Sequence, residues 1–383
     1  MSGPLASPYP RFSGPEMARR RAALAGEVEA AEADVALLYG ANRFGSAVPW
    51  LTGWPVTREA LVVFAPGERD VLFVQFFNHV PNARRIAADA DVRWGGGSTI
   101  DSALEEIGRR RSARPRVGMI GPLPFDAYGK LASAADVVDL GGAYTRLRVR
   151  KSREELEWLR AGVRFTDAAV SALFTQARPG MSERDLAGII ERAYAGEGTT
   201  HIHYLLATSM AEPEGCVPAQ WPSDRRLRAG DALVCEVSAS FWDYPGQLLR
   251  TFTVAEEPSP LYAELHQVAE RAFDAMAARL RPGAAADEVV AAAGVIEEAG
   301  YTTYDDLAHG FVGGYLPPVL HGRSRAGAPV SRGTFEAGMT VVVQPNVITP
   351  DERAGVQTGE LLLVAEGGPE RLHDFPRGIS VIG

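Results

Sequence analysis

The residue that most strongly suggests chemistry is Glu236, a carboxylate flanked by the apolar residues Val234, Cys235 and Val237. Burying a carboxylate in an apolar strand is costly unless it is paired with another group or serves a function. We therefore expect Glu236 to face a pocket. There it can act as a general base, bind a cationic group or attack directly as a nucleophile.

Composition and charge limit the classes of protein to consider. The chain has 383 residues, 46% apolar and 23% charged, which is typical of a globular protein long enough for two domains. Its net charge of −9 argues against nucleic acid and favours a small-molecule or peptide partner. The sequence shows no membrane span and no secretory signal, and Cys216 and Cys235 cannot form a disulfide framework. We expect a cytoplasmic protein without membrane contact.

A change in sequence character near Arg150 predicts a domain boundary. Before it, helical patterns alternate with short apolar runs, which predicts a small α/β domain over residues 1–150. After it, Ser152 with Glu155 three residues later predicts a capping box that begins a helix. The elements expected in the first domain are helices at Glu16–Ala33 and Thr99–Arg111 and strands at Val35–Tyr39, Ala60–Phe64, Val71–Phe77, Val117–Gly121 and Asp136–Asp139.

Residues 151–383 contain a short internal sequence repeat. The segment that begins at Ala177 reads Ala-Arg-Pro-Gly, the segment that begins at Leu280 reads Leu-Arg-Pro-Gly, and each lies between two helical patterns. In each copy Pro-Gly ends one helix and a short polar stretch begins the next. Two similar halves, each with helices followed by strands, predict a pseudo-twofold α+β domain. Convergence on the same turn chemistry is the alternative explanation.

Several segments resemble the creatinase / aminopeptidase P family, whose catalytic domain has the pita-bread fold. The resemblance covers roughly residues Tyr144 to Gly383 and implies a pita-bread domain at 151–383, preceded by a smaller α/β N-terminal domain. The segments that carry it are Lys151–Leu156, Pro218–Arg225, Gly230–Phe252, Ala308–Tyr315, Phe335–Pro345 and Gly355–Val364.

The resemblance also implies where metal ligands would lie. In metal-dependent members, ligands for two divalent cations occupy the positions that are here Glu236, Gln247, His309, Gln344 and Gly359. Neutral amides and a glycine cannot hold two dications, so we expect no metal and no other cofactor. A single ion held by Glu236, His309 and Glu360 stays an alternative. Glu360, however, is one residue beyond the expected position, and adjacent strand residues point to opposite faces.

Metal-independent members of the family, creatinase and ectoine hydrolase, are similar to this chain at Glu236, Leu248–Thr251, Tyr315–Pro318 and Phe375–Arg377. The likeness implies cleavage of a C–N bond in a small, polar, nitrogen-containing metabolite. It also implies that Glu236 and His309 are catalytic, with His309 carrying the proton. Gln220 stands where these relatives have a working histidine, and a glutamine amide cannot take up a proton near neutral pH.

Binding residues are expected from several segments. Glutamine amides can donate and accept hydrogen bonds, which suits a polar ligand, although drift after metal loss would also explain them. The segment Trp50–Arg58 resembles a loop that reaches the partner's active site in creatinase-like dimers. This implies a homodimer in which an arginine binds a substrate carboxylate. The residues expected to bind substrate are Arg58, Trp54, His203, Gln220, Trp221, Gln247, Tyr315, Gln344, Gln357 and Glu360.

Other functions remain compatible with the sequence. The same scaffold could act as a pathway-specific cyclase or dehydratase, or as a ligand-binding pseudoenzyme without catalysis. The presence of both Glu236 and His309, which can move protons, favours an enzyme. A metallopeptidase that cleaves Xaa-Pro bonds is disfavoured by the ligand positions.

Overall fold

The computed structural model describes residues 9–42, 44–111, 114–325, 327 and 332–383, without the side chains of residues 199–202. The chain divides into two compact units, one up to Arg148 and one over Val149–Gly383. In the part of the chain that the structure describes, no helix is both long and apolar enough to cross a membrane.

The N-terminal unit is a sheet with helices on both faces. The elements are α1 (Gly14–Ala30), β1 (Val35–Ala41), α2 (Ala47–Thr52), β2 (Glu59–Phe64), β3 (Val71–Val74), α3 (Val80–Ile86), β4 (Asp91–Trp94), α4 (Thr99–Arg110), β5 (Arg116–Ile120), α5 (Phe125–Ala134), β6 (Asp136–Asp139) and α6 (Gly141–Val149). The strands lie in the order β4–β3–β2–β1–β5–β6, with parallel and antiparallel pairs.

The alternation of side chains along β1 explains why this strand is apolar throughout. Ala36 and Leu38 pack into the core on one face of the sheet, while Leu37 and Tyr39 pack into the core on the other. A strand buried on both faces has no polar side. The expected strand Val71–Phe77 ends earlier, at Val74, because Phe77 begins a short 3₁₀ turn.

The C-terminal unit has two successive sets of helices, each followed by strands. Its elements are α7 (Arg153–Gln176), α8 (Glu183–Arg192), β7 (Thr199–Ser209), β8 (Asp231–Phe241), β9 (Tyr244–Pro245), β10 (Leu248–Val254), α9 (Pro260–Ala277), α10 (Ala286–Ala292), α11 (Val295–Glu298), β11 (Asp306–Phe311), β12 (Tyr315–His321), β13 (Thr340–Val343), β14 (Asn346–Ile348), β15 (Gly355–Gln357), β16 (Gly359–Ala365), β17 (Gly368–Arg371) and β18 (Ser380–Ile382).

The predicted helix boundaries of this unit are confirmed. The Ser152 hydroxyl accepts from the backbone N–H of Glu155, and the Glu155 carboxylate accepts from the backbone N–H of Ser152, which is the expected capping box. Both Pro-Gly pairs of the internal repeat lie between helices, one after α7 and the other after α9. Their glycines, Gly180 and Gly283, have φ of 92° and 84°, a conformation that favours glycine.

Strands of both halves join one sheet, whose main path runs in the antiparallel order β12–β11–β13–β16–β10–β8–β7. Strands β9, β17 and β18 pair onto this sheet, β18 in parallel to β10, whereas β14 and β15 pair with each other separately. Strands β8, β10, β13 and β16 are almost entirely buried. The turn of the β8–β10 hairpin packs tightly on α7, because a Cβ added at Gly162 would lie 2.0 Å from the carbonyl oxygen of Tyr244. This contact fixes the hairpin that carries Glu236.

Candidate active site

The register of the sheet decides which side chains share a face. Residues directly opposite each other on paired strands point the same way. Tyr204 on β7 is opposite Glu236 on β8, Glu236 is opposite Leu249 on β10, and Leu249 is opposite Gly359 on β16. Since Gln247 is two residues from Leu249, it lies on the same face as Glu236.

A chain of polar side chains connects Glu236 to His309 across this face. Gln247 Nε2 donates to Glu236 Oε1 over 2.6 Å and lies 3.5 Å from Gln344 Oε1. The same Gln344 oxygen is 3.3 Å from His309 Nε2. All four side chains are buried, and Glu236 is the most accessible at 7%. The sheet therefore brings the expected catalytic pair together, with two amides between them.

His309 lies beneath the surface of the site. Its ring stacks on Tyr315, with centroids 3.7 Å apart, and its Nδ1 lies 3.1 Å from the carbonyl oxygen of Gly310. The imidazole is fully buried, and burial lowers the pKa of His309 to about 4. Because burial disfavours the charged imidazolium, His309 takes up a proton poorly near neutral pH, which argues against the expected role of proton carrier. It can instead hold Gln344 and Tyr315 in place.

Glu236 opens into a cleft of about 270 Å³. The lining combines carboxyl, phenol and amide groups with a small apolar portion. Among the described residues that line the cleft there is no lysine, arginine or histidine. The lining residues are Tyr204, Val217, Pro218, Gln220, Glu236, Tyr304, Asp305 and Tyr315.

The carboxyl groups of the cleft titrate above their ordinary ranges. Burial raises the pKa of Glu236 to about 8, and the charge of Asp305 adds to the rise while the Gln247 hydrogen bond opposes it. Burial also raises the pKa of Asp305 to about 6. The two shifts make Glu236 the weaker acid and Asp305 the stronger acid of the pair, so that Glu236 is suited to donate a proton and Asp305 to accept one.

Glu360 does not line the cleft, although it was expected from the sequence to bind substrate. Glu360 follows Gly359 and so points to the opposite face of the sheet. Its carboxylate is 2.9 Å from Arg250 Nη2 and also pairs with Arg371. Burial alone would raise the pKa of Glu360, but Arg371 and Arg250 hold it below its usual value. Glu360 is therefore a structural ion-pair partner and is not available to the single-ion site.

Five other residues of this unit that were expected to bind substrate also lie off the cleft lining. Two of them, Gln247 and Gln344, lie behind Glu236 in the chain of polar side chains. The other three are His203, Trp221 and Gln357. His203 is opposite Val237, one step from the Tyr204 and Glu236 pair, and its Nε2 is 2.5 Å from Tyr194 Oη on the other face. Trp221 is 85% exposed, although its neighbour Gln220 lines the cleft. Gln357 is buried and donates to Asp305 Oδ2 over 3.1 Å. It supports a cleft residue without lining the cleft itself.

Trp54 and Arg58 belong to the N-terminal unit. Trp54 is only 3% exposed and packs within that unit's core, so its ring is not presented on a surface where substrate could bind. Its burial corrects the expectation of a binding role, because the apolar surface of the ring is already covered. Arg58 is exposed just before β2. Its expected contact with a partner's site stays a prediction.

Sequence reasoning missed Asp305, Tyr204 and Tyr304. Adjacent residues of a strand point to opposite faces, so only one of His203 and Tyr204 on β7 can face the cleft. His203 was the residue expected from the sequence, and the alternation offered Tyr204 as the other choice. Tyr304 and Asp305 precede β11, the strand that carries His309. They had no periodic pattern of their own, and only the folded turn brings them to the cleft.

The residues at the expected ligand positions do not fit a pair of divalent cations. The amide nitrogen of Gln247 faces the Glu236 carboxyl, so this position offers a hydrogen-bond donor to its neighbour. Gly359 has no room for a side chain, since an added Cβ would be 2.6 Å from the carbonyl oxygen of Val343. Within the described residues, no group of three or more His, Cys, Asp or Glu side chains is placed to hold an ion.

The raised pKa of Glu236 predicts that stability depends on pH. The carboxyl titrates at an ordinary value of 4.5 in the unfolded chain and at about 8 in the folded protein. Between these two pH values the folded state binds more protons than the unfolded state. The contribution of Glu236 to the free energy of unfolding therefore falls as pH rises from about 4.5 to about 8. Glu236→Gln removes the effect and should raise the free energy of unfolding at pH 9 by roughly 1–3 kcal/mol.

Thermal unfolding at pH 5 and pH 9 measures this difference. The gain of Glu236→Gln over the wild type should be larger at pH 9 than at pH 5. The same change at the exposed Glu191 is the control and should show no such trend. A lower melting temperature for Glu236→Gln at pH 9 would contradict the prediction.

Comparisons with known proteins agree with this architecture. The chain is 25% identical over 350 residues to the uncharacterized peptidase YqhT of Bacillus subtilis, covering 88% of this chain and 93% of that protein. It is 26% identical over 258 residues to the creatinase of a Bacillus species, covering 63% and 61%. An Xaa-Pro dipeptidase structure from Bacillus anthracis superimposes with a TM-score of 0.81 at 19% identity, covering 96% of this chain and all of that one.

These comparisons confirm the expected fold class, a pita-bread domain preceded by a smaller N-terminal domain. They do not single out the metal-independent subgroup, because peptidases are among the similar proteins. Residues 157–366 match metallopeptidase family M24, which is more than half of the chain. The chain therefore belongs to metallopeptidase family M24.

Proposed function

We propose that this protein is a metal-independent hydrolase, or a related lyase, that cleaves a C–N bond in a small, polar, nitrogen-containing molecule. The observation that carries the proposal is the Glu236–Gln247–Gln344–His309 chain, which occupies the expected ligand positions with hydrogen-bonded, largely neutral groups. It lies directly beside a cleft that holds carboxyl groups of different pKa.

In this proposal Glu236 is the proton donor. Burial raises the pKa of its carboxyl group to about 8, which favours the protonated form, and the group lines the cleft, where it can protonate the nitrogen that leaves. Gln247 orients the carboxyl group by its hydrogen bond. Gln344 and His309 hold Gln247 from behind, and Tyr315 covers the imidazole. These residues act as positioning groups, whereas in our proposal the proton moves at the Glu236 oxygens.

The lining of the cleft suggests the chemical character of the substrate. An ionised Asp305 with no cation among the described lining residues attracts a positively charged ligand, admits a neutral one and repels an anion. Phenol groups from Tyr204, Tyr304 and Tyr315 add hydrogen bonding and ring surface. The volume of about 270 Å³ suits a small metabolite better than a long peptide.

The similar proteins support hydrolysis as the reaction class and also supply the second candidate. The YqhT relative is described as a peptidase and the Bacillus anthracis structure as an Xaa-Pro dipeptidase. A short Xaa-Pro peptide is therefore the alternative substrate, and family M24 implies a metal for that reaction. The ligand positions argue against it, since Gln247, Gln344 and Gly359 supply no anionic oxygen.

Turnover with and without metal separates these candidates. We would incubate the protein with small amides, cyclic amidines, ureas and Xaa-Pro dipeptides and follow products by mass spectrometry. Each reaction would run after chelator treatment and with added manganese, zinc or cobalt. We expect turnover of a small nitrogen compound that changes less than about twofold on metal removal, because no step depends on an ion.

Dipeptide cleavage that requires added metal would contradict the proposal. A ligand that raises the melting temperature while no product forms would indicate the non-catalytic alternative. Formation of a cyclised or dehydrated product would indicate the pathway-specific cyclase or dehydratase.

A further inference from the structure

Asp305 is a carboxyl group of the cleft that comes from outside the sheet strands. It lies just before β11 and lines the cleft together with Glu236. Its Oδ2 accepts from Gln357 Nε2 over 3.1 Å, and its Oδ1 accepts from the backbone N–H of Asp306 over 2.8 Å. Both bonds come from neutral donors, so they fix the orientation of the carboxylate and leave its charge available to the cleft.

Resting on the proposed hydrolase, we propose that Asp305 is the general base that activates water and that Gln357 is its positioning residue. The Asp305 carboxylate takes a proton from water while the water oxygen forms a bond to the carbon of the C–N group. The electron pair of the C–N bond passes to nitrogen, which takes the proton of Glu236. The products are an oxygenated carbon compound and an amine, and solvent returns the proton from Asp305 to Glu236.

The surroundings of Asp305 suit a base that works near neutral pH. Burial raises its pKa to about 6, and the charge of Asp306 adds to the rise, whereas the Asp306 N–H, Arg325 and Gln357 oppose it. The Asp306 carboxylate is itself paired with His321 and Arg325. The other titratable groups that face Asp305 are Glu236 from β8, Tyr204 from β7, Tyr315 from β12 and Tyr304 beside it.

The pH dependence of Asp305→Asn tests this assignment. The wild type should give a bell-shaped profile of kcat/KM with limbs near pH 6 and pH 8. Asp305→Asn should lower kcat/KM by about 10²–10⁴-fold and remove the acidic limb, while the alkaline limb stays. Asp306→Asn is the matched control, because it removes the same charge from the next residue, whose carboxylate is paired away from the cleft. It should keep the acidic limb and move it to lower pH, because the Asp306 charge raises the pKa of Asp305.

A titration without substrate provides the second measurement. In protein labelled with ¹³C at the aspartate carboxyl carbons, one resonance should titrate near pH 6 in the wild type and be absent in Asp305→Asn. Gln357→Met should raise this midpoint, because it removes a hydrogen bond that favours the ionised form. A merely structural role for Gln357 would leave the midpoint unchanged.

The outcomes separate the two proposals. If Asp305→Asn turns over substrate at the wild-type rate with an unchanged acidic limb, or if Asp305 titrates at its ordinary value, the base assignment is overturned and the hydrolase stands. If the wild type hydrolyses no nitrogen compound although Asp305 titrates near pH 6, the proposed hydrolase fails, and the base assignment that rests on it fails as well.

Discussion

Glu236→Gln is expected to lower kcat/KM by roughly 10²–10⁴-fold, the range for loss of a general acid. Glutamine has nearly the same shape and can still accept the hydrogen bond from Gln247 Nε2. It cannot deliver a proton to a leaving nitrogen, so the variant should bind substrate with little change in Kd while chemistry slows. Single-turnover kinetics separate these effects, because they report the chemical step directly.

Two controls make the result specific. Glu191→Gln, on the exposed surface, should keep wild-type turnover. Thermal unfolding of Glu236→Gln should show an intact fold, with the added stability at high pH described above. Wild-type turnover in Glu236→Gln would remove this residue from the chemistry.

Arg250→Met is expected to destabilise the C-terminal unit by about 3–5 kcal/mol, the usual cost of leaving one partner of a buried ion pair. Arg250 is 1% exposed and donates to the carboxylate of Glu360 and to the carbonyl oxygens of Gly359, Phe375 and Pro376. Without it, Glu360 keeps its ion pair with Arg371, whose side chain is about half exposed. Chemical denaturation with urea measures the loss.

The matched comparison uses an arginine in a different setting. Arg153 is 93% exposed, and Arg153→Met should change stability by less than about 0.5 kcal/mol. Glu360→Gln should also destabilise the fold, with KM for substrate unchanged in the folded fraction. A large change in KM without loss of stability would return Glu360 to the substrate site.

Local sequence patterns correctly predicted the helix ends and the strand that position the site. Ser152 and Glu155 identified the start of α7 because capping depends on residues three apart. The repeated Pro-Gly located two helix ends for the same reason, since a turn needs only a few neighbouring residues. The position of Glu236 in an apolar strand led to the cleft because an unpaired buried carboxylate costs free energy wherever the strand lies.

Which side chains line the site could not be predicted as well, because this depends on contacts between residues far apart in the sequence. A local sequence pattern carries no information about such contacts. Gln357 was expected to contact substrate, but it holds Asp305 across 52 residues of sequence. Glu360 was assigned to the site although alternation along β16 turns it away, toward Arg250. His309 aligned with a working residue, yet its depth below Tyr315 follows from how β11 and β12 pack.

Infrared spectroscopy of the wild type and Glu236→Gln tests most directly whether a protonated, buried carboxyl group replaces metal chemistry here. At pH 7 the wild type, shown by elemental analysis to be free of metal, should have a carbonyl stretching band of a protonated carboxyl group. This band should disappear as pH rises through about 8 and be missing in Glu236→Gln. A Glu236 that is already ionised at pH 5, or that becomes ionised only when a stoichiometric metal ion binds, would contradict the proposal.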